Sequence, residues 1–148
     1  ETAGEISNVV VSVKDLPMTI LDYAGVKHPQ NKYKDRDIVA PSGISTRPFL
    51  EGKKDHIRNE KQWYTFELFG NGYLMQGNYK VIKVRGVMFG DGNWHLYDVV
   101  SDPSEMKPLE NSMPEKFNSM KNLYLSYAKD HNIMEVVPEW NPFKAASE

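Results

Sequence analysis

The sequence predicts an α+β fold, in which a small antiparallel sheet of about four strands packs against one long C-terminal helix. Two observations support this prediction. Over residues 63–109, apolar runs of aromatic and β-branched residues alternate with breaks at Gly, Asn and Asp, which is typical of an antiparallel meander. After Pro114, apolar side chains recur at helical spacing, which is typical of an amphipathic helix. A strand and a short helix are predicted to precede these elements.

The first predicted element is a strand over residues 9–13, because its nearly continuous apolar run is typical of strands covered on both faces. Asp15 is then placed to cap a helix that has Pro17 in its first turn and ends at Gly25. A strand followed by a helix is half of an α/β layer, and no later alternation supplies the other half. We therefore expect residues 1–26 to belong to a larger sheet whose other strands lie upstream.

Residues 27–62 are predicted to be a connecting segment between subdomains, because a polar stretch of this length without regular structure is unusual within one domain. The string GISTRPFLEG inside it is compatible with a short turn of helix. The charged residues 53–58 are interpreted as a solvated loop. The alternative is that their cations line the mouth of a pocket that receives an anionic ester.

Residues 63–134 are predicted to form the sheet and its helix. Gly77 and Asn78 indicate a hairpin, and residues 90–93 indicate a longer connection. Residues 112–115 match a capping box with proline in the first turn. The helix is expected to end near Asn132, with Ile133 folding back as a cap contact. Its buried side is predicted to carry Phe117, Met120, Tyr124 and Tyr127. Residues 135–148 are predicted to be an extended tail.

Composition limits the classes of partner. The length of 148 residues fits one domain, and 18 Lys+Arg against 20 Asp+Glu leave no basic excess to hold nucleic acid. No run approaches the ~20 apolar residues of a membrane helix, so no membrane partner is expected. Without cysteine the chain has no thiolate metal site and no cysteine nucleophile. Because no Asn-x-Ser/Thr string occurs, a bacterial periplasmic or cytoplasmic location is favoured over a glycosylated secretory one.

No residue is assigned a catalytic, cofactor-binding or metal-binding role. His28, His56, His95 and His131 lack the spacing of a zinc site, and His95 is interpreted as an ordinary sheet histidine rather than a ligand or base. The string Asp91-Gly92-Asn93 is interpreted as a hairpin turn rather than a calcium loop. No phosphate-binding glycine motif and no G-x-S-x-G elbow is present.

Aromatic residues are concentrated on the predicted strands. Packing beneath the helix is the favoured interpretation, and a stacking platform for a sugar or nucleotide is the alternative. These residues are Trp63, Tyr64, Tyr73, Tyr79, Trp94 and Tyr97.

Strings along nearly the whole chain resemble the sulfatase family, with the bacterial-type arylsulfatases closest. VSVKDLPMTILDYAGVKHP resembles the last strand and helix of the family's catalytic domain, and GISTRPFLEG resembles a linker motif. FELFGNGYLMQGNYKVIKV and WHLYDVVSDPSEMKPL resemble its C-terminal sheet. The resemblance implies a C-terminal portion of a sulfatase, with residues 1–26 as the end of the large domain. Because position 1 is Glu and not Met, we expect a processed or truncated chain.

The resemblance also implies a mechanism for the parent enzyme. In sulfatases a Cys or Ser in C/S-x-P-x-R becomes formylglycine, whose hydrated aldehyde attacks sulfur, while a divalent cation, commonly calcium, and basic groups stabilise the sulfate oxygens. In this chain the string from Ser101 to Glu105 ends in Glu where Arg is required. No cofactor is therefore expected in this chain; calcium and formylglycine are implied for the parent.

The expected function is that of an inert C-terminal part of a sulfuric ester hydrolase, with a structural or pocket-rim role. Its expected partner is the N-terminal catalytic domain of the same enzyme, and a homo-oligomer remains open. The alternatives are a stand-alone binding or oligomerisation module, which would use the aromatic sheet face or the exposed edge of residues 9–13, and the C-terminal part of a related phosphate-ester hydrolase.

Overall fold

The structure is a computed structural model that describes residues 4–86, 89–137 and 140. It divides into two compact units, unit 1 (residues 1–59) and unit 2 (residues 60–148). Within the described residues, every helix is too short or too polar to cross a membrane.

Unit 1 contains two helices and a minimal hairpin. Helix α1 is Asp15–Tyr23, strands β1 Lys32–Tyr33 and β2 Arg36–Asp37 pair antiparallel, and helix α2 is Arg47–Leu50. The segment predicted as a connection therefore carries some regular structure, including the helical turn of the GISTRPFLEG string. The boundaries 1–26, 27–62, 63–134 and 135–148 stay a prediction.

Helix α1 forms where the sequence indicates, but Asp15 is not its cap. The N-cap is Lys14, and Asp15 lies in the first turn, where its carboxylate accepts a hydrogen bond of 2.8 Å from the backbone N–H of Ser12. This is the reciprocal half of a capping box, in which an acidic side chain inside the helix reaches back to satisfy an earlier N–H. The helix ends just before Gly25, whose φ of 68° suits glycine.

The strand predicted over residues 9–13 is not formed. These residues have no regular structure up to the turn that leads into α1. A strand exists only when a neighbour accepts and donates its backbone hydrogen bonds, and no described part of this chain pairs with the segment.

The sheet of unit 2 is the predicted four-stranded antiparallel meander, in the order β3-β4-β5-β6. The strands are β3 Trp63–Leu68, β4 Asn71–Gln76, β5 Tyr79–Lys83 and β6 Trp94–Asp98. The predicted hairpin over Gly77 and Asn78 is confirmed, because Gln76 pairs with Tyr79 across it and Gly77 has a φ of 57°.

The core of unit 2 lies between this sheet and helix α3, Pro114–Asp130. Leu74, Val81 and Leu96 are fully buried on three adjacent strands, and Met120 and Tyr124 cover them from the helix. Burying side chains of this size contributes about 1.5–3 kcal/mol each before conformational entropy is subtracted. The predicted α+β architecture is therefore confirmed.

The two ends of α3 compare differently with the prediction. The predicted capping box is wrong, because Met113 is the N-cap without a side-chain hydrogen bond and the Ser112 hydroxyl donates instead to the Leu109 carbonyl. The predicted C-terminal cap is confirmed. Asn132 has a φ of 51°, and the N–H of Ile133 donates to the Ala128 carbonyl at 2.9 Å, as in a Schellman motif.

The predicted extended tail is described only in part. Residues 133–137 have no regular structure, and the N–H of Trp140 donates to the Val137 carbonyl at 3.1 Å, which indicates a turn rather than a straight segment. The remainder of residues 135–148 lies outside the described residues.

Candidate functional site

Unit 2 contains a cleft of about 830 Å³ between one end of the sheet and the C-terminal half of α3. Glu67, Lys83 and Trp94 line it from the sheet, where β3 and β5 end and β6 begins. Tyr124 lines it from α3, and residues 133–137 close one side. The hairpin topology brings these strand ends together, and the Schellman cap turns the chain back so that the segment after α3 lies along the cleft.

The aromatic wall of the cleft depends on a glycine. The rings of Trp94 and Tyr124 meet edge to face, with centroids 4.8 Å apart. A Cβ on Gly72 would lie 1.9 Å from the Tyr124 hydroxyl oxygen, so Tyr124 reaches across the sheet only because this position has no side chain. Burial raises the pKa of Tyr124 to about 12, which keeps the phenol neutral.

A buried arginine fixes the segment that closes the cleft. Arg85 is 6% exposed and donates to the carbonyl of Phe69, at 3.2 Å, and to the carbonyl of Val137. Its guanidinium also lies 5.8 Å from the ring centroid of Trp140. Arg85 therefore ties the segment after α3 to the turn between β3 and β4.

The chemistry available in the cleft is that of binding. Its described lining includes two cations, Lys83 and Arg85, and three carboxylates, but no Ser, Thr, Cys or His side chain. The carboxylates are Glu67, Asp91 and Glu135. Without a nucleophile or an imidazole base among these residues, the cleft has the groups to hold a ligand and lacks those of covalent catalysis.

His95 forms a carboxylate–imidazole–carboxylate cluster on β6. Its Nδ1 lies 2.9 Å from Glu110 and its Nε2 lies 3.0 Å from Asp91. Partial burial by itself lowers the pKa of His95, but the hydrogen bonds to Glu110 and Asp91 outweigh burial and raise the pKa above its ordinary value of 6.5. The N–H of Asn93 and the imidazole lower the pKa of Asp91 to about 2.

This cluster connects three parts of unit 2. The second carboxylate oxygen of Glu110 accepts from the backbone N–H of Leu96, and the N–H of Leu109 donates to the Leu96 carbonyl. The cluster thus joins β6, the connection before it and the segment after it. No group of three or more His, Asp or Glu side chains suited to a metal ion occurs in the part of the chain that the structure describes.

A second polar network lies in unit 1 around Asp15, whose side chain is fully buried. Its carboxylate accepts hydrogen bonds of 2.6 Å from Arg58, 3.0 Å from the N–H of Ile44 and 2.8 Å from the N–H of Ser12. Burial by itself raises the pKa of Asp15, but these donors outweigh burial and lower it. The network ties the start of α1 to the loop before α2 and to residue 58.

The same helix binds α2 through hydroxyl groups. The hydroxyl of Thr19 donates to the Asp15 carbonyl at 2.8 Å and accepts from the N–H of Thr46 at 2.9 Å. Asp22 accepts from Ser45 at 2.6 Å and forms an ion pair with Arg47 at 3.4 Å. The polar side of α1 therefore faces inward. These contacts explain unit 1 structurally and place no reactive group next to a cavity.

The residues singled out from the sequence divide between two sides of the sheet. Trp63, Tyr79 and Trp94 pack on the helix side, as predicted. For Tyr64, Tyr73 and Tyr97 the prediction of packing beneath the helix is wrong, because strand alternation turns them to the other side from Leu74 and Leu96. There Tyr73 contacts Tyr64 and Phe66, with centroids 6.3 Å and 5.9 Å away.

The solvated-loop interpretation of residues 53–58 holds only for part of the loop. Lys53 is exposed and pairs with Glu51, and His56 pairs with exposed Asp55. Arg58 is different, since its side chain is only 13% exposed and binds Asp15. The string Asp91-Gly92-Asn93 is confirmed as a turn, because Asp91 accepts from the N–H of Asn93 at 2.8 Å.

Sequence reasoning missed both polar clusters. Glu110 follows His95 by 15 positions and Arg58 follows Asp15 by 43, so neither pair forms a local motif. The only local signal was Asp91, four positions before His95. It also missed Ser112-Met113-Pro114-Glu115-Lys116, which has Lys where C/S-x-P-x-R has Arg; the Ser112 hydroxyl donates to a backbone carbonyl beside α3.

Comparisons with known proteins point to one family, although no protein-family model matches the chain. An uncharacterized sulfatase of Schizosaccharomyces pombe is 33% identical over 135 residues, which are 87% of this chain and 23% of that protein. Arylsulfatase K of Xenopus laevis is 30% identical over 130 residues, which are 79% of this chain and 22% of that protein. The chain thus spans less than a quarter of the length of these relatives.

Solved structures share the fold at lower identity. Ps i-CgsB, solved in complex with k-i-k-neocarrahexaose, matches 93% of this chain and 28% of its own, with a TM-score of 0.64 and 17% identity. A protein from work on glycosaminoglycan metabolism by Bacteroides thetaiotaomicron matches 78% of this chain and 24% of its own, with a TM-score of 0.59 and 19% identity. At such identities these matches are evidence of the fold alone.

Proposed function

Because this chain is a relative of the sulfatases that corresponds to their C-terminal portion, we propose that it acts as the non-catalytic part of a longer sulfuric ester hydrolase. In this proposal the sheet and α3 of unit 2 form a stable body that braces the catalytic domain. The cleft beside α3 is placed at the rim of the parent's pocket.

One observation carries the proposal: sulfatase similarity extends over 87% of this chain but over only 23% of the relative. A stand-alone protein that had borrowed one motif would match over a short stretch. Here the match includes both units, so the chain corresponds to a contiguous portion of a sulfatase.

The reactive groups of the parent are assigned to the upstream part. The sequence contains no C/S-x-P-x-R motif, and no described cluster of carboxylates and histidines fits a metal ion. The residues of this chain therefore do not fit the calcium and formylglycine that the family resemblance implies. We place both groups in the polypeptide that precedes Glu1, where they supply the nucleophile and the charge stabilisation for sulfate.

Two other functions remain as alternatives. A phosphate-ester hydrolase of the same superfamily would use a similar C-terminal portion, but both sequence relatives are named as sulfatases, which favours sulfate. A stand-alone pairing module is supported by one observation, the exposed apolar residues that precede and line α1.

An activity comparison tests the proposal. The 148-residue chain and the polypeptide expressed with the coding sequence upstream of Glu1 are assayed on 4-nitrophenyl sulfate, on 4-nitrophenyl phosphate and on a sulfated glucosamine, with added calcium. We expect sulfate hydrolysis by the longer polypeptide and none by the 148-residue chain. Calcium-dependent sulfate hydrolysis by the chain alone, or an upstream sequence without C/S-x-P-x-R, would contradict the proposal.

A further inference from the structure

Helix α1 has an inverted distribution of polar and apolar side chains. Asp15 and Thr19, which face α2 and its preceding loop, are 0% and 7% exposed. The apolar stripe one position further along, Leu16, Ile20 and Tyr23, is 52%, 68% and 52% exposed. A helix that forms a complete unit in water buries its apolar stripe and solvates its polar one. This helix has a second, uncovered packing side.

The segment before α1 is equally uncovered. Ile6 is 96% exposed and Val13 is 77% exposed, while Val10 and Val11 are nearly half exposed. From Ile6 to Val13 the chain has no charged residue and no proline. Exposed strands in finished proteins are protected by charges, prolines or bulges, and this segment has none of them. The desolvation of its side chains therefore meets no electrostatic penalty.

The backbone of this segment also lacks partners inside the chain. Among the described residues, none of Val9, Val10 and Val11 takes part in a backbone-to-backbone hydrogen bond. The three side chains are consecutive, so an extended conformation directs apolar groups to both faces. Burying both faces also buries the peptide groups, which must then pair with other backbone groups. Only neighbouring strands satisfy these two requirements together.

The segment is held in place at its C-terminal end. The N–H of Ser12 binds Asp15, and Asp15 is fixed by Ile44 and Arg58, so residues 9–11 extend from a rigid anchor. Strand docking therefore requires ordering of only a few residues, which lowers its entropic cost.

We propose that residues 6–13 form a strand in a β-sheet supplied by the upstream part of the same polypeptide, with the Leu16, Ile20 and Tyr23 stripe of α1 packed on that sheet. This inference rests on the proposed function. The upstream part is chosen over a second copy because the sulfatase relatives are more than four times as long as the matched region, so most of each relative precedes or surrounds it.

Hydrogen exchange at the amides of Val9, Val10 and Val11 tests the inference. We expect these amides to exchange without protection in the 148-residue chain and at least about a hundredfold more slowly in the longer polypeptide. Fast exchange in a longer polypeptide that hydrolyses aryl sulfates would overturn the inference and leave the proposed function standing. Slow exchange in a longer polypeptide without sulfatase activity would support the inference and remove the proposed function.

Matched variants make the test specific. Val11→Lys is expected to abolish most of the protection and to lower the soluble yield of the longer polypeptide at least about tenfold, because a buried ammonium has no partner there. In the 148-residue chain the same variant should leave the unfolding curve unchanged. Val39→Lys is the control, because Val39 is 94% exposed in the same unit and outside the segment.

The alternative occupant is a second copy of this chain. Protection of residues 9–11 that grows with the concentration of the 148-residue chain, together with a dimer mass in light scattering, would overturn the inference. Unchanged exchange in Val11→Lys of the longer polypeptide would do the same.

Discussion

The two units of this chain bury opposite kinds of residue. The fully or nearly buried apolar side chains that the structure describes, Leu74, Val81, Leu96, Met120 and Tyr124, all lie in unit 2. The described buried residues of unit 1 are polar: Asp15, Thr19 and Thr46. Many of its large apolar side chains are exposed.

This difference indicates what each unit needs in order to fold. Unit 2 has a sheet covered by a helix, so hydrophobic burial stabilises it without a partner. Unit 1 depends on hydrogen bonds and one buried ion pair, which are weak sources of net stability once desolvation is counted. A unit with this distribution is expected to gain its apolar core from another part of a larger protein.

The largest effect is expected at the buried ion pair of unit 1. Asp15→Ala removes the partner of Arg58 and the acceptor of two backbone N–H groups, and is expected to cost about 3–5 kcal/mol. Hydrogen exchange of α1 in the 148-residue chain measures this loss. Asp22→Ala is the control on the same helix, because its ion pair with Arg47 is solvent exposed and worth about 0–1 kcal/mol. Equal losses in the two variants would show that the buried network does not hold unit 1 together.

The next effect concerns the core of unit 2. Leu96→Ala leaves a cavity under α3 and is expected to lower the free energy of unfolding by about 2–5 kcal/mol. Urea denaturation followed by tryptophan fluorescence reports unit 2 alone, because Trp63, Trp94 and Trp140 all lie in it. Leu68→Ala, at a 49% exposed position, should change it by less than about 0.5 kcal/mol. A small loss at Leu96 would mean that this core is not the main source of stability.

A smaller effect is expected where the sheet meets α3. Gly72→Ala forces a Cβ against Tyr124 and is expected to cost about 1–3 kcal/mol through overpacking. Gly86→Ala is the matched control, because its Cβ would meet nothing within 4 Å. Tyr124→Phe removes the closest of the clashing atoms, so the cost of Gly72→Ala should fall in that background. The same tryptophan signal measures all of these variants, and an unchanged cost would place the strain elsewhere.

The smallest effect is pH dependent and lies in unit 2. The pKa of His95 is raised in the folded state, so the protonated imidazole stabilises unit 2 below pH 6.5, and this contribution is lost as pH rises through the folded pKa. The pKa of Glu110 is lowered from 4.5, because its contacts with His95 outweigh burial, so its contribution is lost as pH falls below that value. Stability from the cluster is therefore greatest between these values.

His95→Gln tests this window. The variant should reduce the fall in unit 2 stability between pH 6 and pH 9 by less than about 1 kcal/mol, since the cluster is partly exposed. Urea denaturation across that range measures the difference, and His131→Gln in the same unit is the control. A pH profile unchanged by His95→Gln would remove the cluster from the account.

The sheet and α3 were predictable because their stability is local and apolar. The alternation of residues 63–98 and the helical spacing around Met120 specify which side chains become buried, and the turn at Gly77 specifies the hairpin. The side of Tyr73 was predicted wrongly, because a count of aromatic residues ignores the strand period of two.

The polar clusters were not predictable to the same degree. Asp15 meets Arg58 and His95 meets Glu110 through the path of irregular segments, for which the sequence has no periodic signal. The capping box at Ser112 failed for a related reason, since a turn ending at Met113 moved the serine out of the cap position.

Hydrogen exchange across the whole 148-residue chain tests the contrast between the units most directly. The account predicts that amides of β4 and β5 around Leu74 and Val81 exchange slowest, and that amides of α1 exchange at least about a hundredfold faster, because their helix has no apolar core beneath it. Equal protection of α1 and β5 in the chain alone would contradict the claim that unit 1 requires another part of the protein.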